Sequence, residues 1–245
     1  MERIVVKNIF KKFRKDQAQG STLYKIISMI SQRNSREKFY ALDNISLRVE
    51  RGEVVGIIGE NGSGKSTLLR MIAGIYKPDY GEIKTEGNIV SIIDLATAMQ
   101  YNSTMTSNIY LCATFLGLDG KKIHEKFSEI VEFSGLKDFV NTRIYKFSNG
   151  MVMRLMFSIA IHCNPEILLL DEVFEVGDEE FKKKSGEKIR ELIKKGCSVV
   201  LVGHDLASIE KQCDRVIWMD KGKIKMEGKP KKIIEFYKKH EGNLS

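Results

Sequence analysis

A chain of 245 residues, 42% hydrophobic and 29% charged, can bury one large α/β core or two small ones, and disorder is excluded as its main state. Forty Lys and Arg against 32 Asp and Glu leave a net charge of +8, which invites nucleic acid, an anionic membrane surface or a phosphate-bearing substrate as partner. No apolar run approaches the roughly 20 residues of a membrane-spanning helix, and the N-terminal MERIVVKNIF alternates like a strand rather than a signal peptide.

In chain order, residues 4–8 and 45–50 read as strands with period-two alternation. Between them, residues 20–32 (GSTLYKIISMISQ) set Leu23, Ile26, Ile27 and Ile30 at i, i+3, i+4 and i+7, an amphipathic helix with basic flanks. Such a stripe either packs on its own domain or docks on a membrane surface or partner. Residues 54–58 are a buried-type strand, followed by a glycine-rich turn and a helix over 64–73 closed by Gly74. KPDYG at 77–81 marks a turn, residues 83–93 are strand-like, and the pattern from 95 to 160 is helical. After Pro165 come the strand ILLL, a helix over 181–195, the strand VVLV, a hairpin over 216–226 and a basic helix over 230–239. Strands alternating with helices predict an α/β sheet interrupted by one helical insertion. Cys112, Cys163, Cys197 and Cys213 form no CxxC pair, so reduced thiols of a cytosolic protein are expected.

Residues 59–67 (GENGSGKST) satisfy G-x-x-x-x-G-K-[ST] between a strand and a helix. Gly62 and Gly64 let backbone N–H groups turn inward around phosphate oxygens, and the helix that follows aims its positive end at the same anion. Lys65 is placed against the β- and γ-phosphates, the Ser66 hydroxyl on Mg²⁺ and Thr67 on the α-phosphate. Gly59, Asn61 and Ser63 complete the loop. Residues 167–172 (ILLLDE) are an apolar strand ending in two carboxylates. In a parallel sheet Asp171 emerges at the edge that carries the phosphate loop and completes the Mg²⁺ shell through water, while Glu172 stands where a general base for the attacking water belongs. The VVLV strand leads to Gly203 and His204 at the same edge, where an imidazole can sense the γ-phosphate.

Residues 147–151 (FSNGM) open the helix MVMRLMFSIAIH, just ahead of the acidic strand. Ser148 there is either a helix N-cap or part of a second anion site. With GENGSGKST, ILLLDE and His204 in this order, the chain resembles the ATP-binding subunits of ABC transporters over essentially its whole length. The resemblance implies a P-loop NTPase (RecA-like) core with an antiparallel β subdomain and an inserted α-helical subdomain, the core over 1–93 and 164–240 and the insertion over about 94–163. It implies ATP and Mg²⁺ as ligands, and a head-to-tail pair of copies in which Ser148, Asn149, Gly150 and Met151 serve the partner's nucleotide. Tyr40, 25 residues before Lys65, falls where an aromatic ring stacks on adenine, and Asp178, seven residues after Asp171, falls at the D-loop.

DEVFEVGDEEF after the acidic strand, the methionine-rich signature helix, VGHDLASIEKQCDRVIW and the insert before Tyr40 look like the subgroup that exports O-antigen, capsule or teichoic acid. That implies an ATP-hydrolysing motor for lipid-linked polysaccharide, peripheral on the cytoplasmic face of the cytoplasmic membrane, with an integral membrane permease as partner and no nucleic acid; the alternatives are an ABC motor for another cargo or a soluble ABC-type ATPase acting on nucleic acid or ribosomes. The insert lies near the membrane partner in that subgroup, which favours docking for the 20–32 helix. The chain departs from the family at IIDLATAMQ, where a Q-loop glutamine is usual: Asp94 stands nearest to that position and Gln100 is its rival. Asn149 replaces a small signature residue, and Glu175 places an extra charge at the D-loop.

Overall fold

The computed structural model describes residues 1–14, 38–171 and 178–242. The 20–32 helix, Glu172 and Glu175 lie outside the described residues. Strand β1 (Glu2–Arg14) pairs antiparallel with β2 (Lys38–Glu50), and the later strand β4 (Tyr80–Thr85) pairs with the free side of β1. A second, six-stranded sheet has the order β5 (Ile89–Ser91), β6 (Ile167–Asp171), β7 (Ser198–Val202), β3 (Val54–Ile58), β8 (Arg215–Asp220), β9 (Lys223–Gly228). All its pairs are parallel except β8 with β9, a hairpin.

Strands β3, β6 and β7 read as near-continuous apolar runs because both faces of the parallel sheet are covered. Side-chain alternation divides each run between two cores. Val55, Ile57, Leu169, Val200 and Val202 face helix α1 (Lys65–Ile72) and the three-stranded sheet, packing with Leu68, Leu69, Ile4 and Val6. Val54, Ile58, Leu168, Leu170 and Leu201 join the core of the helical side. That side comprises α2 (Ile92–Ala98), α3 (Met105–Phe115), α4 (Gly120–Ser134), α5 (Asn149–His162), α6 (Glu179–Lys194), α7 (Leu206–Gln212) and α8 (Pro230–Gly242). Between β5 and β6 the chain adds α2 to α5 and two 3-10 turns and contributes no strand to either sheet. Among the described residues, no helix is long and apolar enough to cross a membrane. The four cysteines are free and buried, and burial pushes the thiols of Cys163, Cys197 and Cys213 up to about 12.

Two expected elements differ. The strand-like run 83–93 divides: β4 belongs to one sheet, β5 to the other, and Ile92 already begins α2. The chain changes sheets at Gly87, whose φ of 110° admits a bend that a β-branched residue would resist. The first two strands are longer than the 4–8 and 45–50 expected, because bulges break their alternation. Asn8 and Asn44 sit at positive φ (46° and 57°), and their side chains are hydrogen-bonded to each other at 3.0 Å.

Candidate nucleotide site

The phosphate loop joins β3 to α1 at the C-terminal edge of the parallel sheet. Its glycines are dictated by contact as well as by dihedral angle. Gly64 holds φ at 102°, and a Cβ there would stand 2.5 Å from the Ala41 carbonyl oxygen. A Cβ at Gly59 would collide with the Met219 carbonyl. Gly64 is also the N-cap of α1 and supplies no side-chain hydrogen bond. By contrast α3, α4, α5, α6 and α7 begin with Thr104, Asp119, Ser148, Asp178 and Asp205, each accepting a first-turn N–H. No side chain therefore caps the first turn of α1, where the helix end is positive and suits an anion.

Lys65 is 6% exposed, and its ammonium donates to the carbonyls of Gly59 at 2.7 Å and Glu60 at 2.9 Å. It therefore arches back over its own loop, with its charge held at the loop's centre rather than in bulk water. Ser63 is 3% exposed, and its Oγ is buried without a hydrogen-bond partner among the described residues. Asn61 and Gly62 are exposed at the tip, and Ser66 and Thr67 are half-buried in the first turn of α1.

The turn between β8 and β9 braces this loop. Gly222 N–H donates to the Ser63 carbonyl at 3.0 Å, and the Gly222 carbonyl accepts from Asp43 N–H at 2.8 Å. The bridge holds β2, and hence Tyr40, next to the loop. Tyr40 is exposed, with Phe10 edge-on at 6.3 Å and the Lys12 ammonium 4.6 Å from its ring centre. The Tyr40 hydroxyl raises the Lys12 pKa above the ordinary lysine value. An exposed ring with a cation on it is a surface on which a planar base can stack.

Asp171 ends β6 opposite Val202 of β7, which in turn lies opposite Ile57 of β3. The half-buried Asp171 is therefore level with the strand end that feeds the phosphate loop, separated from β3 by β7 and about 10 Å of sheet. His204 follows β7 at the same edge and is exposed. One edge thus gathers Lys65, Ser66, Asp171 and His204 from three adjacent strands. Asp94 lies within α2; Gln100, its rival, is exposed on the following loop.

Ser148 accepts Met151 N–H at 3.2 Å, so the N-cap reading of Ser148 describes this state, with Asn149 exposed beside it and Gly150 and Met151 half-buried. Asp178 caps α6 through Phe181 N–H at 2.9 Å and pairs with Arg154 of α5 at 2.8 Å. Arg154 and Asn108 were not read as functional positions from the sequence. Arg154 ties the signature helix to the D-loop. Asn108, fully buried, donates to the carbonyls of Gln100 and Thr104 (both 2.9 Å) and accepts Gln100 N–H at 2.7 Å, clamping that loop to α3. The visible signal for Asn108 is a polar residue on the apolar stripe of Met105, Ile109 and Cys112.

A glycine cradle between a parallel strand and an uncapped helix, with a buried lysine and an aspartate on a neighbouring strand, defines a P-loop nucleotide-binding protein. Residues 42–175, more than half of the chain, match the family model described as ABC transporter, and the chain belongs to that family. It is 40% identical over 201 residues to an O-antigen export system ATP-binding protein, RfbB, of Klebsiella pneumoniae, covering 82% of each chain. It is 37% identical over 244 residues to the RfbB protein of Myxococcus xanthus, covering 97% of this chain and 56% of that one. It is 40% identical over 238 residues to the teichoic acids export ATP-binding protein TagH of Lactococcus lactis, covering 97% of this chain and 51% of that one. The chain thus spans about half the length of the last two. Among solved structures, a dimeric post-hydrolysis state of the ATP-binding cassette MJ0796 bound to ADP and Pi superimposes with a TM-score of 0.75 at 24% identity, covering 93% of this chain and 98% of that one. That likeness shows the shared fold of an ABC ATPase.

Proposed function

We propose that the chain hydrolyses ATP to drive export of lipid-linked polysaccharide, working as a head-to-tail pair of copies beneath a separate membrane permease at the cytoplasmic face of the membrane. The observation that carries the chemistry is the uncapped α1 with Lys65 anchored over Gly59 and Glu60. The similarity to RfbB and TagH proteins supports the cargo.

In this reading the backbone amides at the start of α1 and the Lys65 side chain hold the β- and γ-phosphates, Thr67 the α-phosphate, and Tyr40 the adenine. The buried, unpartnered Ser63 Oγ has a place in the same cradle. Ser66 and Asp171 fit Mg²⁺, which favours few protein oxygens together with water and substrate phosphates. Bound Mg²⁺ supplies charge neutralisation at the leaving phosphates. Glu172 takes the proton of the attacking water and His204 hydrogen-bonds the γ-phosphate. Ser148, Asn149, Gly150 and Met151 of one copy close on the nucleotide of the other, and Asp178, paired with Arg154, ties the helix that carries them to the start of α6. Residues 94–163 act as one inserted helical unit on a core of 1–93 and 164–240. Tyr101, Leu111 and Phe115, all exposed on that unit, offer an apolar face for the permease.

Glu172→Gln should lower steady-state phosphate release by about 10²-fold or more while ATP binding persists and a pair of copies accumulates on size-exclusion chromatography. Turnover within a few-fold of the parent would show that Glu172 is not the base. For the cargo, cells relying on this chain with Lys65→Ala should lose surface polysaccharide and retain the lipid-linked polymer inside.

A further inference from the structure

At the opposite edge of the parallel sheet lies a second cleft, of about 420 Å³. It opens among the start of β1, the starts of β6 and β7, and the C-terminal ends of α5 and α6. The five residues of β3 put about 17 Å between this edge and the phosphate loop. A small ligand in one cannot touch the other.

Arg3, Arg51, Lys126, Lys188 and Lys195 line the cleft. Fewer carboxylates answer them. Glu166 takes Arg3 at 2.7 Å, Glu191 is shared by Lys188 at 2.9 Å and Lys195 at 2.5 Å, and Glu129 is the remaining acidic group of the wall. The C-termini of α5 and α6 add about half a negative charge each. Five cations against three carboxylates and two helix ends leave the cleft net positive. His162, with Nδ1 on the Ser158 carbonyl at 2.7 Å, adds no charge, because burial lowers its pKa.

Three of the cations have unused capacity toward a ligand. Among the described residues Lys126 has only the amide oxygen of Asn164, at 3.3 Å, as a hydrogen-bond partner, and Arg51 lies against Gly196, where a Cβ would stand 2.6 Å from its Nε. Arg3 is 7% exposed; its Nη groups are taken by the Glu86 carbonyl at 2.9 Å and by Glu166, but its Nε is buried with no hydrogen-bond partner among the described residues. An unmatched N–H on a buried guanidinium is unfavourable, so Arg3 has one donor beyond those that Glu86 and Glu166 use. Phosphate oxygens match such a set, because several cations can share the charge of one group.

We propose that this cleft is a second anion site that takes a compact, phosphate-bearing small molecule, held by Arg3, Arg51 and Lys126. The volume lies within the range of small-molecule pockets. The proposal is independent of the export reading.

The test is calorimetric titration of the full chain with inorganic pyrophosphate, with ADP and Mg²⁺ present at saturation so that the phosphate loop is occupied. One further equivalent should bind with Kd at or below about 1 mM, weakening as salt rises. The double variant Arg51→Gln, Lys126→Gln changes an exposed and a half-buried side chain, and should weaken that binding at least tenfold while leaving the thermal midpoint and ATP turnover unchanged. Lys65→Ala should retain it. Binding that survives the double variant, that vanishes with Lys65→Ala, or that is absent from the parent overturns the proposal.

Discussion

The two edges of the parallel sheet face ions by different means. The upper edge uses backbone: two glycines pressed against the Met219 and Ala41 carbonyls, an uncapped helix start, and one buried lysine bonded to its own loop. The lower edge uses side chains: five cations spread over β1, the turn before β3, α4, α6 and the loop before β7, partly answered by Glu129, Glu166 and Glu191. A site made of backbone geometry depends on single residues, since each amide has one place to be. A site made of long side chains is redundant, because neighbours can share the load. The contrast teaches where single substitutions matter.

Lys65→Ala is the sharpest break. It removes the ammonium that bonds the Gly59 and Glu60 carbonyls across the cradle, and phosphate release should fall by about 10²- to 10³-fold. Gly64→Ala comes next, because its φ of 102° and the 2.5 Å approach to Ala41 both resist a Cβ. It should destabilise the chain by about 1–3 kcal/mol in chemical denaturation and weaken nucleotide binding at the same time. An unchanged denaturation midpoint would mean that the loop can move away from β2.

Asp178→Ala removes the α6 cap and should cost about 0.5–2 kcal/mol. A double-mutant cycle with Arg154→Ala should return a coupling of only about 0.2–1 kcal/mol, since that pair is partly exposed. The smallest effect belongs to the lower edge. Hydrogen bonds from Lys195 and Lys188 hold the Glu191 carboxyl down to about 2. A depressed carboxylate contributes stability above its unfolded value, near 4.3, and loses it as pH falls toward the folded value. The stability difference between the parent and Glu191→Gln should therefore shrink between about pH 5 and pH 2. A difference that does not change with pH would mean that the shared ion pair contributes nothing.

Much of the upper edge was legible because its parts are local. Residues 59–67 carry the loop chemistry in one contiguous run, with a buried-type strand before and a helix after. ILLLDE and VVLVGH were readable as strand ends for the same reason. Arg154 and Asn108 were not, since their meaning lies in partners 24 and 8 residues away, Asp178 and Gln100. The lower cleft was invisible. Arg3 and Glu166 are 163 residues apart and meet only in the folded chain. The hairpin turn that braces Ser63 through Gly222 is likewise a contact between distant segments.

The amino-acid sequence by itself determined that the chain has an α/β core with a helical insertion and a phosphate loop, because glycine spacing, apolar runs and caps act within a few residues. Only the tertiary structure decided that β7 stands between the acidic strand and the loop strand, and which half of each apolar run faces which core. It also decided that the basic excess gathers in part at the edge away from the nucleotide. Strand order and the choice of face come from packing between segments far apart in the chain, and no local propensity encodes that choice.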